Sequence, residues 1–119
     1  MSNTIKPVVS PSETFDLLDI RVGRVVSVEF ETSAVKKSYR MKIDFGKFGI
    51  KTSVGRFTQH SIEEMVGKQV LGILNFGEKN IGSAKSEVLV LGVQYPKAES
   101  GEATFVTPAC IAKIGSKLF

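Results

Sequence analysis

At 119 residues, 42% hydrophobic and 24% charged, the chain has material for one domain with a single core and the composition of an ordinary globular protein. No apolar run approaches the ~20 residues that a membrane helix needs. The segment from Met1 to Pro7 lacks the apolar stretch of a secretory leader, so a cytoplasmic location is the expectation. The net charge of +4 is unevenly placed: residues 1–60 carry ten basic and six acidic groups, including Arg21, Arg24, Arg40 and Arg56, whereas residues 61–119 carry six of each. A basic half suits a polyanionic partner such as nucleic acid, although a solvated surface explains the charge equally well by itself.

Residues 1–13 read as a loose arm broken by Pro7 and Pro11, followed by a short helical turn over Thr14–Leu18. Ile20–Glu29 reads as strand one because Val22, Val25, Val26 and Val28 are β-branched. Gly23 interrupts its alternation and predicts a bulge or bend. A polar connection over residues 30–38 leads to Tyr39–Phe45. There Tyr39, Met41, Ile43 and Phe45 share one face while Arg40, Lys42 and Asp44 share the other, as in a half-exposed strand. Gly46–Gly49 forms a hairpin turn into a third strand, Ile50–Phe57. Ser61 and Glu64 have capping-box spacing and start a short helix ending at Gly67. Gln69–Phe76 is strand four, residues 77–86 a loop, and Glu87–Gln94 strand five. Three strands, a short helix and two strands predict an all-β, five-stranded OB-fold Greek-key barrel, with the helix between strands three and four.

The expected organisation is therefore an N-terminal arm over 1–13, the barrel over 14–94 and a C-terminal extension over 95–119, with a short strand at Thr104–Thr107. Strand five is apolar on both faces, through Val88, Leu89, Val90, Leu91 and Val93. A barrel strand alternates, so the outer face requires cover, from the extension or from a second subunit. A homodimer joined through the extension is the expectation.

Catalysis and metal binding have little in their favour. Cys110 is the only cysteine and reads as a small buried residue. His60 is the only histidine and reads as exposed or locally bonded. Neither a His-x-x-x-His nor a Cys-x-x-Cys pair occurs. Gly72 and Gly77 have the outer spacing of a phosphate-binding loop, but Glu78 and Lys79 follow where Lys and Ser or Thr are required. No enzyme activity, cofactor or metal is expected.

An OB barrel binds oligonucleotides on strands two and three and in the loops joining strands one to two and four to five. Lys36 and Lys37 lie in the first loop, Arg40 and Lys42 on the outer face of strand two, and Lys79 and Lys85 in the second loop. Asn75 and Ser86 add neutral hydrogen-bonding groups. Cations neutralise phosphates and release counterions, while amides and hydroxyls read sugars and base edges. The alternative is an edge strand guarded by lysine and arginine. Phe76 borders the second loop and suits either base stacking or the core. Lys113 and Lys117, in the tail, are expected to contribute little.

The run Leu-Asp-Ile-Arg-Val-Gly over Leu18–Gly23 resembles the opening motif of the tRNA-binding-domain family. That family includes the C-terminal module of bacterial methionyl-tRNA synthetases and the endothelial monocyte-activating polypeptide. Asn75 and Phe76, followed by Lys79, Gly82 and Ser86, resemble its second motif, which implies tRNA-contacting roles for Asn75, Lys79 and Ser86. Lys85–Gly92 and Ile43–Gly46 are similar to the CsaA group of small secretion-associated chaperones, with departures at Ser53–Thr58 and Gly77–Asn80. The resemblance covers residues 15–93. It implies a non-enzymatic OB protein that binds tRNA or another structured RNA or, alternatively, a homodimeric chaperone that binds unfolded or presecretory polypeptides.

Overall fold

The computed structural model describes residues 3–119. A short 3-10 turn, Phe15–Leu17, stands where a helical turn was expected, and a second, Pro11–Glu13, lies in the stretch expected to be a loose arm. A five-stranded antiparallel sheet follows, with β1 at Ile20–Phe30, β2 at Tyr39–Asp44, β3 at Ile50–Gly55, β4 at Gln69–Ile73 and β7 at Leu89–Val90, in the order β3-β2-β1-β4-β7. Helix α1, Ile62–Met65, lies between β3 and β4. Its capping box forms as expected: the Glu64 amide donates to Ser61 Oγ at 3.1 Å and the Ser61 amide to Glu64 Oε1 at 3.3 Å.

Strand β1 serves two layers. Its bulge falls between Val25 and Ser27 rather than at Gly23, and it switches which face the following residues present. Before the bulge, Val25 points into the barrel while Ile20 and Val22 point outward; after it, Val28 points inward. Gly23 has a different task. A Cβ there would lie 2.6 Å from Ile43 Cγ2 and 2.7 Å from Phe45 Cε1, and one at Gly72 would lie 2.8 Å from Phe45 Cζ. Both glycines make room for the buried Phe45 ring, which packs with Met41, Ile43, Val25 and Val70 at the centre of the barrel. Each such side chain contributes roughly 1.5–3 kcal/mol by leaving water.

The expected strand five is divided. Leu89–Val90 pairs with β4, whereas β8, Gly92–Val93, leaves the barrel and pairs with β9, Thr104–Phe105. The expected loop over 77–86 is itself a hairpin of β5, Lys79–Ile81, and β6, Ala84–Ser86. Hydrogen bonds with side-chain help draw the two edges of the sheet together: Glu87 N donates to Thr52 O at 2.7 Å, Ser53 Oγ to Val88 O at 2.9 Å and Val54 N to Ser86 Oγ at 3.1 Å.

The C-terminal extension covers the outside of β1 and β4. Val106, Ala112, Ile114 and Leu118 pack on Ile20, Val22, Leu71 and Ile73, together with Leu91. Backbone bonds between Val22 and Ser116, Gly115 and Val22, and Leu118 and Ile20 hold it there, and both amide atoms of the buried Gln69 clasp Ala112 at 2.7 and 2.8 Å. The outer cover demanded by strand five is thus partial: Leu91 is covered, while Leu89 and Val93 remain about half exposed. Cys110, expected to be buried, is exposed, because the tail around it runs over the surface. No helix among the described residues is long and apolar enough to cross a membrane.

Candidate nucleic-acid interface

The loop between β1 and β2 and the β5–β6 hairpin meet. Ser83 N donates to Ser33 Oγ at 2.9 Å, and Gly82 packs so closely on Ser33 that a Cβ would lie 2.4 Å from its hydroxyl oxygen. Gly82 also takes φ +60°, so glycine suits this position on two counts. The same Ser33 amide and hydroxyl donate to the carboxylate of Glu31, which is buried. These bonds, above all the Ser33 hydroxyl, hold Glu31 below the usual carboxylate range, with Arg40 adding to the effect at 2.7 Å.

Around this junction the cations occupy different situations. Lys36, Lys42 and Lys79 are exposed, and no ion pair holds their ammonium groups among the described residues. Lys37 is exposed and places Nζ 5.5 Å from the Phe30 ring centroid. Lys85 is exposed and lies 3.6 Å from Glu78. Arg40 is engaged by two carboxylates, Glu29 at 3.1 Å and Glu31 at 2.7 Å, so much of its charge is compensated within the protein. Nothing in the sequence alone pairs these acids with Arg40. Their alternate spacing near the end of β1 is visible there, but only the β1–β2 register, which sets Glu29 opposite Arg40, reveals the pairing.

The two neutral residues are also committed internally. Asn75 accepts from the Asp19 amide and donates to the Leu17 carbonyl, both at 2.8 Å, tying the end of β4 to the approach to β1. Ser86 is buried, accepts from Val54 N and donates to Val88 O at 3.3 Å. Tyr39 is buried and donates its hydroxyl to His60 O at 2.7 Å, so its ring belongs to the core. Phe76 is different. It is 59% exposed and stands at the lip of a 260 Å³ cavity lined also by Glu78, Lys79, Ile81, Val88 and Leu89. An exposed aromatic beside a lysine can stack a base while the cation meets a phosphate.

His60 lies outside this surface. Its Nε2 is 2.8 Å from Thr104 Oγ1, its Nδ1 is 3.1 Å from Glu64 and its ring lies 4.7 Å from that of Phe105. It joins α1 to the β8–β9 hairpin.

Residues 20–117 match the family model of the putative tRNA binding domain. A methionine–tRNA ligase from Methanoculleus marisnigri is 33% identical over 114 residues, which are 94% of this chain but 16% of the ligase; the chain spans a small fraction of such relatives. Among solved structures, the chaperone CsaA from Bacillus anthracis superposes with a TM-score of 0.83 at 34% identity, covering 94% of this chain and all of that one. The CsaA chaperone protein from Picrophilus torridus gives 0.82 at 31% identity with the same coverage. By the extent of the match and the shared barrel, the chain belongs to the putative tRNA-binding domain family.

Proposed function

We propose that this protein binds tRNA or a similarly structured RNA, without catalysis, on the surface formed where the β1–β2 loop meets the β5–β6 hairpin. The observation that carries the reading is that junction. It joins the loop bearing Lys36 and Lys37 to the hairpin bearing Lys79 and Lys85, with Phe76 at the hairpin's base and Lys42 on the adjoining strand. Separated cations would be ordinary solvation; gathered on two loops that touch, they match the spaced phosphates of a folded RNA. Asn75 and Ser86 act by holding the site's frame, and Arg40 by fixing the β1–β2 loop through Glu31. Filter binding of total tRNA between 50 and 200 mM salt tests the reading. Lys79→Gln with Lys85→Gln is expected to weaken binding and to reduce the salt slope by roughly 1.4–1.8, about 0.7–0.9 per phosphate contact. Unchanged affinity in this variant and in Lys36→Gln with Lys37→Gln refutes it.

A second reading has its own support. A 310 Å³ groove lies at the seam between β3 and β7, walled by Phe57, Leu89, Val90 and Leu91, and similar solved structures are chaperones. An apolar stretch of unfolded polypeptide fits such a groove. Its binding holds or strengthens with salt, opposite to RNA. In either role we take the protein to be cytoplasmic and a homodimer. The dimer is supported by the exposure of Leu89, Val93, Ile111 and Phe119 and of Ile5, Val8 and Val9 in the arm. A monomer mass by light scattering at micromolar concentration refutes it.

A further inference from the structure

The end of the barrel opposite the loop junction carries a second basic feature. Arg21 on β1, Lys47 in the turn between β2 and β3, and Lys113 in the C-terminal extension line one 400 Å³ cavity with Ile114, Gly115 and Ser116. These cations are 26 and 66 residues apart in sequence, and none of the cavity's lining residues is acidic. The arrangement is built rather than incidental. The Phe48 ring carries the Arg21 guanidinium 4.6 Å from its centroid and Lys47 Nζ at 5.4 Å. Arg21 is oriented by Asp19 at 2.6 Å and donates to Gly115 O at 3.3 Å. Ser116 closes the tail turn by donating to Lys113 O at 2.6 Å.

Lys47 and Lys113 bring two like charges to one cavity beside the Arg21 guanidinium, and their attraction to an anion is the natural compensation. Asp19 offsets Arg21. In the hairpin, Asp44 turns its Oδ1 to the Gly46 amide at 2.8 Å, while the ammonium groups of Lys47 and Lys113 have no carboxylate partner among the described residues. Arg21 retains N–H donors beyond the two it uses. The cavity has the volume of on the order of ten waters, enough for a phosphate and bridging solvent. Along β2, whose six residues separate the turn bearing Lys47 from the β1–β2 loop, the span is about 20 Å at the usual strand rise.

We infer that this cavity is a second phosphate site, holding the backbone of the same structured RNA at a point about 20 Å from the β1–β2 loop. It rests on the RNA-binding reading and refines it: the protein selects a folded RNA because adjacent nucleotides cannot reach both ends of the barrel. Lys113, which the sequence places in a remote tail, is thereby a binding residue.

The test measures total-tRNA affinity and its salt slope for the native protein and three double variants: Lys47→Gln/Lys113→Gln at the cavity, Lys79→Gln/Lys85→Gln at the loops, and Lys68→Gln/Lys97→Gln as a control for net charge. All six lysines are exposed, and circular dichroism checks that each variant is folded. The cavity pair is expected to weaken binding roughly tenfold or more at about 0.1 M salt and to lower the slope by about 1.4–1.8. An effect no larger than that of the control pair overturns the inference, while a loss confined to the loop pair leaves the functional reading intact. If only the loop pair is silent, the cavity stands and the loop assignment falls. Failure of the native protein to bind tRNA overturns both. Inorganic phosphate, titrated against the Gly115 and Ser116 amide resonances, separates the sources. Saturation by phosphate with no effect of the cavity pair on tRNA assigns the cavity to a free anion and overturns the RNA role.

Discussion

Asn75→Ala separates a residue that contacts RNA from one that holds the frame. Its Oδ1 accepts from the Asp19 amide and its Nδ2 donates to the Leu17 carbonyl, both at 2.8 Å, so the change removes two well-formed neutral bonds. A typical bond contributes about 0.5–1.5 kcal/mol net, and Asn75 is exposed, so water replaces part of what is lost. The expected cost is about 1–2 kcal/mol, and the melting temperature of a domain this size falls by roughly 4 °C or more for each kcal/mol. Thermal unfolding by circular dichroism measures the cost, and tRNA binding well below the transition measures function. Affinity is expected to fall less than about threefold, with the salt slope unchanged, because no charge is removed. Asn75→Asp is the informative companion. It keeps an acceptor for the Asp19 amide but sets a carboxylate against the Leu17 carbonyl, and it is expected to destabilise at least as much. An unchanged melting temperature together with a tenfold loss of tRNA affinity would refute this reasoning and make Asn75 a contact residue.

Gly23→Ala forces a methyl group to within 2.6–2.8 Å of Ile43 and Phe45 and is expected to destabilise by about 1–3 kcal/mol in urea unfolding. Adding Phe45→Leu should recover part of that clash, and strictly additive costs would sink the explanation. Ser61→Ala removes the side-chain half of the capping box and is expected to cost about 1 kcal/mol without altering tRNA affinity, checked by the same two measurements. The native state lowers the pKa of Glu31, chiefly through the Ser33 hydroxyl, and of Glu64, chiefly through His60. Lowered carboxylate values contribute stability above the unfolded value of about 4.3, and that stability is lost as the pH falls through the lower folded values. Glu31→Gln is therefore expected to flatten the acid side of the stability profile, and an unchanged acid limb contradicts it.

Local chemistry made much of the barrel legible. Alternation in Tyr39–Phe45 fixed the inward face of β2, β-branched residues marked β1, and Ser61 with Glu64 announced α1, because each signal acts within a few residues. The apolar run at 88–93 read as one strand needing cover on two sides, whereas the extension covers Leu91 and leaves Leu89 and Val93 about half exposed. Its division between β4 and β9 is decided by partners, and β9 follows β8 by more than ten residues. For the same reason Gly23 read as a bend: the Phe45 ring it accommodates arrives from another strand. The lysines of the two loops could be named from the sequence, but their meeting depends on Ser33 touching Gly82 and Ser83. The internal engagement of Asn75, Ser86 and Arg40, and the convergence of Arg21, Lys47 and Lys113, were decided by the tertiary structure alone. A residue's chemistry is written at its own position, whereas the bonds it has already made, and the charges it stands beside, depend on chain segments that only folding brings together.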